Sequence, residues 1–80
     1  MFFVYVLLSE ATGKLYIGQT QHLEKRLFAH NNGFSRYTKG KGPWKIVYKE
    51  QYETRKEAIL RERFLKSGKG REYLKSKLAC

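Results

Sequence analysis

The chain has 80 residues, with 17 Lys+Arg against 7 Asp+Glu, for a formal net charge of +10 and a sequence pI near 10.0. One small core is expected at this length and a deep cofactor cleft is not, while 41% hydrophobic and 15% aromatic residues argue against disorder. The single cysteine, Cys80, rules out an intrachain disulfide and a Cys-ligated structural zinc; the longest apolar run, Phe2–Leu8, is too short to span a membrane and lacks a charged leader. A soluble, cytoplasmic protein with no membrane partner is therefore expected.

Phe2–Leu8 is rich in β-branched and aromatic residues and apolar on both parities, which predicts a central strand covered on both faces. Thr12-Gly13 signals a turn, and Leu15–Gly18 follows as the second arm of a hairpin. Thr20 is placed to cap a helix running to about Asn32, with Leu23 and Leu27 on its apolar stripe. A basic loop over Gly33–Pro43 carries Arg36, Lys39 and Lys41. Trp44, Ile46 and Tyr48 then alternate with Lys45 and Lys49, predicting a third strand with one wet face that ends near Tyr52. Thr54-Arg55-Lys56-Glu57 reads as a capping box for a helix to about Ser67, and Gly70 is read as separating a last short helix, Arg71–Leu78. The order β-β-α-β-α-α predicts an α+β fold, a small three-stranded antiparallel sheet flanked by helices, as one domain over residues 1–80.

The charge is uneven. Residues 1–35 hold three cations against two Glu, whereas residues 36–80 hold fourteen against five. A basic half of this kind points to nucleic acid, DNA or RNA, as the partner. Every acidic residue is Glu, which argues against a paired-aspartate, two-metal site.

Three places break the core pattern. Glu62 falls between Ala58, Ile59 and Leu65 on the apolar arc of its helix, where a carboxylate calls for a metal or a positioned cation, or else reaches the rim to pair with Arg61 or Lys66. Arg26 and His30, four apart, stack beside the Leu23/Leu27 stripe; the pair suits a phosphate, or it is a surface Arg with a His at a helix end. A hairpin centred between Ala11 and Thr12 sets Tyr5 opposite Gly18 and Tyr16 opposite Leu7, with both phenols on one face and open space beside Tyr5; a slip of one residue would separate them.

Phe3-Val4-Tyr5 and, ten residues on, Tyr16-Ile17-Gly18 resemble the paired motif of the GIY-YIG nuclease family, with Phe3 and Val4 standing where the name has Gly and Ile. Arg26, His30 and Glu62 are similar to that family's helix arginine, its histidine or tyrosine one turn later, and its metal-binding glutamate. The resemblance covers nearly the whole chain and is to the small single-domain branch related to the nuclease module of the nucleotide-excision repair endonuclease. It implies DNA phosphodiester hydrolysis with one Mg²⁺ or Mn²⁺. Glu62 would hold the metal, and Arg26 would stabilise the transition state. Tyr5 would activate water as phenolate or relay, with Tyr16 and His30 positioning water or phosphate; the base is either Tyr5 or His30. Gly18, Arg36, Lys39, Lys41, Lys45, Arg63, Lys66, Lys69 and Arg71 are expected to contact nucleic acid, tracking the backbone without reading sequence. Specificity in such nucleases is normally borrowed from a partner domain, so a targeting partner protein is expected. Many family members carry an asparagine about three turns beyond the glutamate; residues 71–78 have none, with Ser76 and Lys75 as the polar substitutes. The alternative is a non-catalytic nucleic-acid binding module on the same scaffold, and a third option is a ribosome-associated basic protein.

Overall fold

The computed structural model describes residues 1–33 and 39–78. Strand β1 (Phe2–Ser9) lies between β2 (Leu15–Thr20) and β3 (Trp44–Tyr52), and both pairings are antiparallel. Helix α1 (Leu23–Asn31) follows β2, and α2 (Arg55–Lys66) and α3 (Gly68–Leu78) follow β3. This is the expected β-β-α-β-α-α order around a three-stranded sheet. No helix among the described residues is long and apolar enough to cross a membrane.

The central strand has two buried faces because its alternate residues feed two cores. Val4 and Val6 pack with Ala58, Leu65 and Leu74 on the α2/α3 side, whereas Tyr5 and Leu7 pack with Trp44, Leu23 and Leu27 on the α1 side. At about 2 kcal/mol for each fully buried aliphatic side chain, these two small cores are the main stabilising force of so short a chain.

The hairpin register is the expected one, with Tyr5 opposite Gly18 and Leu7 opposite Tyr16. Its turn closes through Gly13, at φ 76, and through the hydroxyl of Ser9, which accepts from the Thr12 amide at 3.0 Å.

Four local expectations are corrected. Thr20 does not cap α1: it is still paired with Phe3 in the sheet, and its Oγ1 accepts from the His22 amide while His22 occupies the cap position. Trp44, Ile46 and Tyr48 do not share a face. Leu7 pairs with Ile46 and Val6 with Tyr48, so Val47 is an extra residue in a bulge that turns Tyr48, Glu50 and Tyr52 toward α2 and α3. The space beside Tyr5 is not open, since a Cβ at Gly18 would lie 2.7 Å from the Tyr5 hydroxyl and 3.2 Å from Cε1 of Tyr16.

Gly70 does not separate two helices; it sits inside α3, which begins at Gly68. Ser67 caps that helix by accepting from the Gly70 amide at 3.2 Å. A Cβ at position 70 would meet the Phe64 carbonyl oxygen at 1.9 Å, so glycine lets α3 cross the end of α2. The capping box of α2 is as expected, with the Thr54 hydroxyl accepting from the Glu57 amide at 3.2 Å.

Candidate active site

Sheet register and helix phase together assemble the cluster. Tyr5 and Tyr16 project from neighbouring strands onto the α1 face, with ring centroids 6.3 Å apart. Helix α1 crosses above them and brings the His30 ring within 4.8 Å of Tyr16 and 6.0 Å of Tyr5. Tyr5 Oη and His30 Nε2 are 3.1 Å apart, and each residue is only 1% exposed. His30 is thus a core group bonded across the fold rather than a surface residue at a helix end. One turn earlier, the exposed Arg26 directs its guanidinium to the hydroxyls of Tyr5 and Tyr16.

The electrostatics follow from burial and from that guanidinium. Burial pushes the Tyr5 phenol up to about 12, against the pull of the Arg26 hydrogen bond, and the Glu62 carboxylate adds to the rise. His30 falls to about 4, first through burial and then through the positive charge of Arg26. Arg26 is held above its usual value by its hydrogen bond to Tyr5. At neutral pH the cluster is a neutral phenol and a neutral imidazole beside one fixed cation. The Tyr5 hydroxyl is the group that both the Arg26 guanidinium and His30 Nε2 engage.

Glu62 stands at the margin of this cluster, with its side chain 21% exposed and Oε2 2.7 Å from Lys66 Nζ. Its charge acts on Tyr5. Among the described residues no three His, Cys, Asp or Glu side chains converge. That donor set does not fit zinc. It fits a hard cation such as Mg²⁺, which keeps several waters and takes one or two carboxylates together with substrate phosphates.

The expected nucleic-acid contacts divide into groups. Gly18 is buried under the two tyrosines. Lys45, Lys66 and Arg71 line one open groove, which Lys14, Lys75 and Lys77 also line. Of those last three, Lys75 and Lys77 belong to the cationic end of α3, within the basic stretch the sequence points to, and Lys14 has no such signal. Arg63 and Lys69 are exposed but do not line that groove. Lys39 and Lys41 lie ahead of β3, where the Lys41 carbonyl accepts from the Ser9 hydroxyl at 2.6 Å. Arg36 lies outside the described residues.

A second polar cluster, on the other sheet face, was not anticipated. The Glu50 carboxylate takes Nε of Arg61 at 2.9 Å and a second guanidinium nitrogen at 3.0 Å, and also accepts from the Tyr48 and Tyr52 hydroxyls. Tyr48 and Tyr73 hydroxyls are 3.0 Å apart, and the Arg61 guanidinium lies 4.8 Å from the Phe64 and Tyr73 ring centroids. The available sequence signal was Tyr48-x-Glu50-x-Tyr52 on one strand face, together with Arg61 on the next helix.

A three-stranded sheet that sets two motif tyrosines beneath a helix bearing Arg and His defines a class, and the comparisons agree. Residues 1–75 match the GIY-YIG catalytic domain, and the chain belongs to the GIY-YIG family. Within it, the similar proteins are UPF0213 proteins, a small single-domain group. One from Clostridium perfringens is 48% identical over 67 residues, covering 82% of this chain and 71% of that one. Another, from Bacillus licheniformis, is 39% identical over 77 residues, covering 91% and 79%. The solution NMR structure of a UPF0213 protein from Bacillus halodurans superposes with a TM-score of 0.58 at 31% identity, covering 96% of this chain and 85% of that one.

Proposed function

We propose that the protein is a metal-dependent endonuclease that hydrolyses nucleic-acid phosphodiester bonds at the Tyr5–Tyr16–Arg26–His30–Glu62 site. The observation that carries this reading is the line from the Arg26 guanidinium through the Tyr5 hydroxyl to Nε2 of a neutral, buried His30, at 3.1 Å for the last step. Nucleases of this family are generally dependent on a divalent metal.

Arg26 binds a non-bridging oxygen of the scissile phosphate and remains charged throughout, because its own value lies above the ordinary one. A phenol near 12 is a poor free base at neutral pH, so Tyr5 serves as a relay. Its oxygen takes a proton from water as its own proton passes to His30 Nε2. An anionic phosphate over Arg26 offsets one of the two causes that hold His30 low, so substrate binding favours that transfer. Tyr16, packed against the His30 ring, fixes its orientation. Glu62 would hold the divalent ion, which when bound supplies charge neutralisation at the phosphate and the departing oxygen.

The test is nicking of supercoiled plasmid with Mg²⁺ or Mn²⁺ and with chelator. Glu62→Gln and Arg26→Ala should each lose at least about 100-fold in rate with the fold intact. Undiminished rates in both variants would overturn the site. The Lys66 ammonium already bonded to Glu62 favours a second reading, a binding module without turnover. Nucleic-acid affinity unmoved by chelator and by Glu62→Gln, with no cleavage of any substrate, would select it.

A further inference from the structure

The groove on the α2/α3 side is built unlike a surface for duplex phosphates alone. Its floor is aliphatic: Leu8, Leu15 and Ile17 from the hairpin, Val47 from the bulge of β3 and Leu74 from α3. Leu15 is 40% exposed there, because α3 packs chiefly on α2 and leaves the hairpin end of the sheet uncovered. Its rim carries Lys14, Lys45, Lys66, Arg71, Lys75 and Lys77, and no acidic residue lines it. Lys45 and Lys66 have carboxylate neighbours behind them, Glu10 at 3.9 Å and Glu62 at 2.7 Å.

The groove borders the candidate active site through two of the residues that line it. Tyr16, which packs on His30, and Lys66, which pairs with Glu62, belong to both.

Charge and chemistry limit the occupant. A second copy of this chain would bring another +10 to the cationic rim. A duplex keeps the apolar faces of its bases stacked inside and offers phosphates and polar groove edges, so it gains nothing from an aliphatic floor. An unpaired strand exposes both a phosphate line and apolar base faces, which are the two chemistries that the rim and floor supply.

We propose that this groove takes an unpaired nucleic-acid strand, so that the substrate is a nucleic acid with a single-stranded segment leading to the scissile bond. The proposal rests on reading the site as one for nucleic acid, and not on turnover. The protein is at most 29 Å across, so the segment bound is a few nucleotides long.

The test is fluorescence anisotropy of the full chain in chelator with a labelled oligothymidylate of about a dozen nucleotides, a duplex of the same length and the matching oligouridylate. Oligonucleotide integrity is checked on a gel. The single strand should bind at least fivefold tighter than the duplex. Leu15→Thr combined with the near-isosteric Val47→Thr should weaken single-strand binding at least fivefold and duplex binding less than twofold. Leu15→Thr alone, at an exposed position that spares the core, should show the same selective loss of single-strand binding on a smaller scale. Lys75→Ala should flatten the slope of log affinity against log salt by about 0.7 for the single strand. Tighter binding of oligouridylate than of oligothymidylate would assign the strand to RNA, and the reverse to DNA; each supports the proposal. Equal or tighter duplex binding, or equal losses for both substrates in the Thr variants, would overturn it. So would displacement of the strand by an acidic, leucine-bearing amphipathic peptide at a lower concentration than the strand itself requires, which would make the groove a protein-docking site. Absence of cleavage in a parallel reaction with Mg²⁺ would count against the nuclease reading and leave this one standing.

Discussion

Tyr5 Oη lies 3.1 Å from His30 Nε2, and both side chains are sealed from solvent. The bond joins the central strand to the last turn of α1, so the group best placed to receive a proton is also part of the core. Burial, with Arg26 second, lowers His30 from 6.5 to about 4. The unfolded chain therefore takes up a proton as pH falls below about 6.5, while the folded chain resists until about 4. The stability linked to His30 is complete above the unfolded value and is lost as pH falls through that window, by on the order of 3 kcal/mol. Urea unfolding from pH 4 to 7.5 should show this loss in the native chain relative to His30→Gln, which keeps a polar partner for Tyr5 and has no proton to gain. Parallel pH curves for the two would mean that His30 titrates normally in the fold.

The Tyr5 hydroxyl answers His30 on one side and Arg26 on the other. Tyr5→Phe should cost about 1–3 kcal/mol by leaving a buried imidazole nitrogen unpaired, and should lower cleavage at least about 100-fold by breaking the relay. An alkaline titration followed by tyrosinate absorbance checks the environment directly. Burial raises Tyr5 and Tyr52 to about 12 each and Tyr48 higher still. Three of the six tyrosines should therefore ionise late, and Tyr5→Phe should remove one of them. Since folding favours the protonated phenol, the stability tied to Tyr5 is intact below pH 10 and is lost as pH rises through about 12.

The hairpin register and the α2 capping box were legible because both are set within a few residues: a turn centre fixes which residues face each other, and Thr54 needs only Glu57. The convergence of Tyr5, Tyr16, Arg26 and His30 was legible as positions on one face, but the depth of His30 was not. A histidine beside an apolar stripe reads alike whether the sheet beneath it is open or packed with Tyr16 and Trp44. The misreadings share a cause. Gly70 has the local signature of a break, yet its reason is a carbonyl on another helix. Trp44, Ile46 and Tyr48 alternate without fault in sequence, and only pairing with β1 exposes Val47 as an extra residue. Glu50 is not legible in the sequence because its key partner, Arg61, comes from another element, and periodicity within one segment carries no trace of a bidentate pair formed across the fold.

Glu50 and Arg61 form that pair with side chains 17% and 26% exposed. Burial disfavours the Glu50 anion, but the hydrogen bonds from Arg61, Tyr48 and Tyr52 outweigh it and hold the carboxyl below its usual range. Glu50→Ala would leave a guanidinium and two phenols without their acceptor, at a cost of about 3 kcal/mol or more. Glu50→Ala with Arg61→Met should cost less than the sum of the single changes, with a coupling of about 2 kcal/mol in a denaturant double-mutant cycle. Additive losses would show the pair to be energetically idle. Because Arg61 immediately precedes Glu62, the single variants should also weaken cleavage by turning α2, whereas the paired apolar variant should restore part of it.

The two close-approach glycines make opposite demands on their neighbours, and alanine at each tests them separately. In an ordinary helix interior Gly→Ala stabilises by about 1 kcal/mol. At Gly70 the sign should reverse, since the added methyl would meet the Phe64 carbonyl at 1.9 Å and the Leu65 backbone at 2.5 Å, neither of which can yield without moving α2. A loss of about 3 kcal/mol is expected in calorimetry, and a stabilised variant would show that α3 does not cross α2 there. At Gly18 the obstruction is the far end of Tyr5, at 2.7 Å from the hydroxyl and 2.9 Å from Cζ, so the side chain gives way rather than the backbone. That displacement pulls Tyr5 from His30. Gly18→Ala should accordingly cost only about 1–2 kcal/mol of stability but approach Tyr5→Phe in its loss of cleavage, a ratio that inverts the one expected at Gly70.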